Sequence, residues 1–206
     1  VVDNDIYVVS DEIYEHLTYG DAEHVSIASL GEDIYERTIT CSGLAKSYSM
    51  TGWRIGYLGA SSQIAKLIGS VQSHATSNPN SIAQKAAVEA LTGSQDSVEK
   101  MRREFDTRRQ YMYERVCAMP HASALEPKGA FYMFIDLSEA LSMSYKGEKL
   151  QTAARFAEII LDQYQVAVVP CADFGYDDHI RLSYAIAMDQ IKVGLDRMEA
   201  FLKALE

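Results

Sequence analysis

The chain has 206 residues, and 19 basic against 29 acidic side chains give a formal charge of −10, which argues against nucleic acid as its main partner. Its 48% apolar and 23% charged residues are ordinary for a globular protein of one large domain or two small ones. Cys41, Cys117 and Cys171 form no CxxC pair, the five histidines show no HExxH spacing, and no apolar run has the length of a membrane span. No metal site and no membrane contact are therefore expected. No signal peptide opens the chain, and unpaired thiols fit a reducing compartment, so a cytoplasmic location is the expectation.

The first element is an apolar run, Ile6 to Val9, that reads as a buried strand, with Asp11 just beyond its C-terminal end. A second strand covers Thr38 to Cys41 and a third Ile55 to Leu58, with Lys46 and Arg54 on the connection between them. Apolar spacing at Ile64, Leu67, Ile68 and Val71 predicts a helix ending near His74, broken by the turn at 77–80. Ser81, with Gln84 three residues on, predicts a capping box for a helix running to Leu91 and stopped by Gly93. A long helix from Val98 to Met119 follows, its polar face of Arg102, Arg103, Arg108 and Arg109 expected in solvent. Beyond Pro120 the pattern predicts a strand (130–136), a helix (149–164), strands at 166–169 and 180–184, and a last helix with Ile191, Leu195, Met198 and Leu202 on one face.

The chemistry concentrates in Ser42 to Tyr57, SGLAKSYSMTGWRIGY. The amine of Lys46 can condense with an aldehyde, and the planar fork of Arg54 suits a phosphate. Together they describe a holder for pyridoxal phosphate, although spacing alone is better served by two solvated cations. Asp11 is placed where ligands bind in open α/β sheets. A carboxylate there would keep a pyridine nitrogen protonated, and Tyr14 would offer a hydroxyl to a phenolic oxygen. By itself, an Asp at that place also reads as a cap. Farther on, alternation puts Arg181, Ser183 and Ala185 on one face of a strand, opposite Ile180, Leu182 and Tyr184. An arginine between small residues would grip a carboxylate in a recess, or simply face water.

The 42–57 string resembles the lysine signature of class I (fold type I) aminotransferases, in their bacterial aspartate-aminotransferase-like branch. Gly43 stands three residues before the lysine, and Gly52 and Gly56 stand two either side of the arginine. DEIYEHLTYG, at 11–20, resembles the family motif that precedes the lysine loop. The stretches at 166–175 and 179–185 resemble its terminal signature, with Cys171 where the family usually has Gly. The resemblance implies an α/β fold: the C-terminal part of a fold type I transferase, with the remainder of the large-domain sheet and its helices plus an α+β small domain. It divides the chain into 1–95, part of the large cofactor domain, 96–119, a connecting helix, and 120–206, a small domain. It implies that the chain is half of a protein, inactive alone, whose full-length form is a homodimer.

The implied activity is transfer of an amino group between an L-amino acid and a 2-oxo acid. Lys46 would carry pyridoxal phosphate and move the proton, Asp11 would face the ring nitrogen, and Tyr14 its phenolic oxygen. Arg54, helped by Ser42, would take the phosphate, and Arg181 the α-carboxylate of the substrate. Many relatives have their phosphate serine one residue later, where this chain has Gly43. The arginine that reads the distal carboxylate in one aspartate-specific branch is replaced here by Ser73, so aspartate, aromatic amino acids and alanine stay open as donors. Two alternatives stand beside this reading. One is a C–S lyase of the cystathionine β-lyase type, and the other is a non-enzymatic, cofactor-sensing domain of a regulator.

Overall fold

β-Branched residues and a run of backbone pairing set the first sheet in the computed structural model, which describes all 206 residues. The chain divides into two compact units, Val1–Arg102 and Arg103–Glu206. In the first unit, β1 (Val8–Asp11) is followed by a short helix α1 (Glu32–Tyr35) and by β2 (Thr38–Gly43) and β3 (Gly56–Gly59). The sheet order is β1-β2-β3. β1 and β2 run parallel, Asp11 pairing with Cys41, while β2 and β3 run antiparallel, Gly43 pairing with Gly56. The two glycines are a packing requirement. A Cβ on Gly43 would stand 3.0 Å from the Gly56 Cα, and one on Gly56 would stand 3.1 Å from the Ser42 carbonyl oxygen.

The expectation of a buried first strand is corrected in one respect. β1 starts two residues later than the apolar run, and Val9 is 71% exposed, with Tyr7 also largely exposed. Nothing in this unit covers that face. The same is true of helix α2 (Ser62–Ala75), which forms at the predicted place but buries no residue. Helix α3 (Ser81–Thr92) also forms, with a different cap. Asn80 Oδ1 accepts the amides of Ile82 (2.9 Å) and Ala83 (3.2 Å), whereas Gln84 turns back to donate to the Pro79 carbonyl (2.7 Å). Asn one residue earlier performs the cap assigned to Ser81.

Helix α4 (Asp96–Cys117) runs through the division at Arg102. Arg103 is exposed as the pattern predicts, whereas Arg102, Arg108 and Arg109 are less solvated. Arg102 donates to Glu99 (2.7 Å) and to the Thr18 carbonyl (3.1 Å). Arg109 is only 4% exposed and pairs with Asp106 (2.8 Å) and Glu126 (2.7 Å). Burial costs a guanidinium less when carboxylates satisfy it.

The second unit contains β4 (Ser123–Ala124), β5 (Tyr132–Asp136), α5 (Ser138–Leu141), the small ribbon β6 (Ser144–Tyr145) and β7 (Glu148–Lys149), α6 (Ala153–Tyr164), β8 (Val169–Pro170), β9 (His179–Ser183) and α7 (Met188–Leu202). Its sheet has the antiparallel order β4-β5-β9-β8. α6 starts at Ala153, later than predicted, because Thr152 caps it through the Arg155 amide (3.1 Å). Of the predicted 166–169 strand only Val169 joins the ladder, together with Pro170 just beyond it. Met133 and Ile135 from β5, Ile180 from β9 and Tyr184 just beyond it are buried with Phe156, Ile160, Met198 and Phe201 of α6 and α7. No helix is long and apolar enough to cross a membrane.

Candidate active site

Strand direction places the first group of residues. β1 and β2 are parallel, so their C-terminal ends lie at the same edge of the sheet, and antiparallel β3 begins at that edge. Asp11 ends β1, Lys46 follows the end of β2, and Arg54 just precedes β3. Three residues from three sequence positions thus share one edge.

The lysine loop is compact. Ser49 donates its amide to the Lys46 carbonyl (3.1 Å) and Met50 to that of Leu44 (3.1 Å), with Leu44 fully buried beneath. Lys46 Nζ stands 5.9 Å from the centroid of the Tyr14 ring, so these two candidates are neighbours. Ser47, 1% exposed, has a buried hydroxyl with no hydrogen-bond partner. Such groups are costly unless something satisfies them.

Arg54 adopts a left-handed backbone conformation (φ 53°) and donates only to the Thr51 carbonyl (3.1 Å). It has no carboxylate partner, and with Ser49, Trp53 and Asn80 it lines a cavity of about 540 Å³. Asp11 is exposed and accepts the Ile13 amide (3.2 Å) in a local turn.

Ser42 differs from expectation. Its hydroxyl donates to Glu15 (2.8 Å), which also accepts from Tyr57 (3.2 Å). Burial, together with the charge on Glu15, pushes the Tyr57 hydroxyl above the ordinary tyrosine pKa, so it stays a donor.

Two acidic residues missed in the sequence organise this edge. Glu15 ties the 11–16 turn to β2 and β3 through the contacts just described. Glu12 is buried, and its carboxylate receives Ser10 (3.0 Å), Ser26 (2.9 Å) and His24 (2.9 Å). Burial works to raise its pKa, but the hydrogen bonds from His24, Ser26 and Ser10 outweigh this and hold it below the usual carboxylate value. Both residues stand in the same DEIYE string as Asp11 and Tyr14. Apart from Ser10, their partners are 12 to 42 residues away in sequence and left no local signal.

Arg181 belongs to the second unit. It stands on the predicted strand face, although aromatic rings occupy what was read as a recess between small residues. Its Cζ lies 4.3 Å from the centroid of Tyr132 and 4.9 Å from that of Phe174, and it has no carboxylate partner. The residues of the first unit fit pyridoxal phosphate. An amine, a guanidinium without a carboxylate, a carboxylate and an orphaned buried hydroxyl all belong to one strand edge and its loop.

A family model described as aminotransferase class I and II matches residues 1–198. The chain belongs to that family. Family members are pyridoxal-phosphate-dependent transferases. The aspartate aminotransferase of Geobacillus stearothermophilus is 42% identical over 199 residues, which make up 97% of this chain and 50% of that protein. A probable aspartate/prephenate aminotransferase of Aquifex aeolicus is 41% identical, covering 100% of this chain and 50% of its own length. The crystal structure of the aspartate aminotransferase from Rhizobium meliloti superposes with a TM-score of 0.95 at 35% identity, covering 99% of this chain and 51% of that one. The fold is therefore that of the fold type I aminotransferases, and the chain spans about half the length of the curated relatives it matches.

Proposed function

We propose that the whole protein is a pyridoxal-phosphate-dependent aminotransferase. It moves an amino group between an L-amino acid and a 2-oxo acid, and it works as a homodimer. The observation that carries this reading is the one strand edge bearing Asp11, Lys46 and Arg54. Names of relatives favour aspartate-like donors over aromatic amino acids or alanine.

When bound, pyridoxal phosphate supplies an aldehyde that condenses with amines and a pyridine ring that draws electrons from the substrate's α-carbon. Lys46 would hold the cofactor through its Nζ. As a neutral amine, that Nζ would take the proton from the substrate's α-carbon. Asp11 keeps the ring nitrogen protonated with its carboxylate. The Tyr14 hydroxyl would donate to the phenolic oxygen, its ring being a neighbour of Lys46 Nζ. Arg54 forks onto the phosphate, and Ser42 joins it only by turning its hydroxyl away from Glu15. Arg181 orients the substrate through its α-carboxylate.

Borohydride reduction of the whole protein loaded with cofactor, followed by peptide mapping, tests the central assignment. A phosphopyridoxyl group is expected on Lys46, and label on Lys66 or Lys85 with none on Lys46 would overturn it. With aspartate and 2-oxoglutarate, the same protein is expected to form oxaloacetate and glutamate in equal amounts.

A further inference from the structure

The sheet of the second unit separates its side chains by face. Met133, Ile135 and Ile180 are buried in the core. On the other face stand Tyr132, Phe134 and Asp136 of β5 with His179, Arg181 and Ser183 of β9. Phe134 pairs directly with Arg181, and Tyr132 pairs with Ser183. Tyr132 is thus the diagonal neighbour of Arg181, a separation that an aromatic side chain can span. The Tyr132 ring does so, at 4.3 Å from the guanidinium carbon.

The second ring reaches Arg181 from another segment. Phe174 ends a tight turn, Ala172–Phe174, held by its own backbone hydrogen bonds. Phe174 and Tyr176 both donate their amides to the Cys171 carbonyl (2.9 and 3.1 Å), and Gly175 donates to that of Ala172 (2.9 Å). Gly175 sits at φ +83°, a backbone conformation in which any other residue is strained. Cys171 is fully buried, and its amide donates to the His179 carbonyl (3.0 Å), which ties the turn to β9.

Arg37, Arg108, Arg109, Arg115 and Arg155 each have a carboxylate partner. Arg181 has two rings and none. A ring takes a guanidinium by its face, whereas a carboxylate takes the in-plane edge of N–H donors, so the two interactions do not compete. An acidic partner would occupy the edge and neutralise the charge.

We infer that Tyr132 and Phe174 are positioning residues, which hold the plane of the Arg181 guanidinium and leave its N–H edge for a substrate carboxylate. The inference rests on the reading that Arg181 binds the α-carboxylate, and it identifies what orients that arginine in place of an acid. Stacking of this kind draws on a flat, weakly hydrated cation, so lysine at 181 loses both the fork and the stacked geometry.

The test uses the whole protein with its cofactor and measures inhibition by isovalerate, a monocarboxylate that carries no amino group. Tyr132→Leu and Phe174→Leu are expected to weaken isovalerate binding roughly 3- to 30-fold. KM for aspartate should rise by a similar factor, and kcat should fall by less. Tyr132→Phe and Phe174→Tyr, which keep a ring, are expected to restore the affinity. Leucine variants that bind isovalerate as tightly as wild type, while Arg181→Lys binds it weakly, overturn the inference and leave the carboxylate reading standing. Unchanged binding in Arg181→Lys overturns that reading, and the inference with it. A spectroscopic measurement covers leucine variants that fail to fold. In wild-type protein labelled at arginine nitrogen, the Nε–Hε signal lost in Arg181→Lys should be displaced upfield by the ring currents, and an undisplaced signal overturns the inference.

Discussion

Asp11 and Glu12 are adjacent acids with opposite surroundings, one exposed and bonded only to a local amide, the other buried under three side-chain donors. Only Asp11 is left available to a ligand. Replacing it by Asn removes the negative charge and preserves the shape. A hydrogen bond to a charged group contributes about 1.5–3 kcal/mol, and at about 1.4 kcal/mol per factor of ten its loss corresponds to a kcat about 10- to 150-fold lower. Steady-state kinetics of Asp11→Asn in the whole protein, with cofactor occupancy followed by absorbance, checks this. Unchanged kcat with full occupancy would assign the ring nitrogen to another acid. The candidate residues could be picked out of the sequence because each belongs to a short string with fixed spacing, Lys46 and Arg54 above all, and the structure brings Asp11, Lys46 and Arg54 to one strand edge. The bond from Ser42 to Glu15, and the rings against Arg181, could not be picked out. Those contacts join residues far apart in the chain, and neither partner's local pattern specifies the other.

The Glu12 cluster works as a clasp between elements, since it joins β1 through Ser10 to the 24–26 segment through His24 and Ser26. Because the folded carboxyl is held below its unfolded value, its contribution to stability is present above the unfolded pKa and is lost as pH falls through the folded one. Glu12→Gln should therefore destabilise the protein by about 1–3 kcal/mol at pH 7, narrowing towards zero below about pH 4. Urea unfolding at several pH values measures this, and a penalty independent of pH would mean that the charge contributes nothing. Helix periodicity predicted α2, α3, α4 and α7 to within a few residues. Strand ends and caps were harder to read. Asn80 and Ser81 are both good caps, and only the backbone path decides between them. The two-residue strands β4, β6, β7 and β8 are too short to show any period.

Taken whole, the chain leaves large apolar side chains in water on elements that are otherwise well formed. Leu67 and Val71 of α2 are 63% and 71% exposed, and Ile82 and Val88 of α3 are exposed too. β1 and β3 each have one open edge. Contiguous apolar surface and open strand edges favour association. The 206-residue chain expressed alone is expected to self-associate, its mean mass by light scattering rising with concentration. Leu67→Gln with Val71→Gln should lower that mass, whereas a monomer at every concentration would contradict the expectation. The mixed sheet also sets an order of assembly. Residues 44–55 close the β2–β3 hairpin, whereas β1 and β2 wait on the longer 12–37 connection, and loop closure costs about 0.6 kcal/mol more for each doubling of length. Antiparallel neighbours close in sequence pair early, and parallel ones must await a crossover. The amine and the guanidinium are thus brought near each other by a local event, and the carboxylate is added by a long-range one. Pulsed hydrogen exchange during refolding should protect the Tyr57 amide, which faces Ser42 of β2, before that of Glu12, which bonds the Cys41 carbonyl across the parallel pair (2.8 Å). Simultaneous protection would mean that the sheet forms in one step. If the order holds, a partly folded chain already brings Lys46 and Arg54 together while Asp11 is still apart, and under the proposed function an aldehyde phosphate would meet its amine and its cation before the acid is in place.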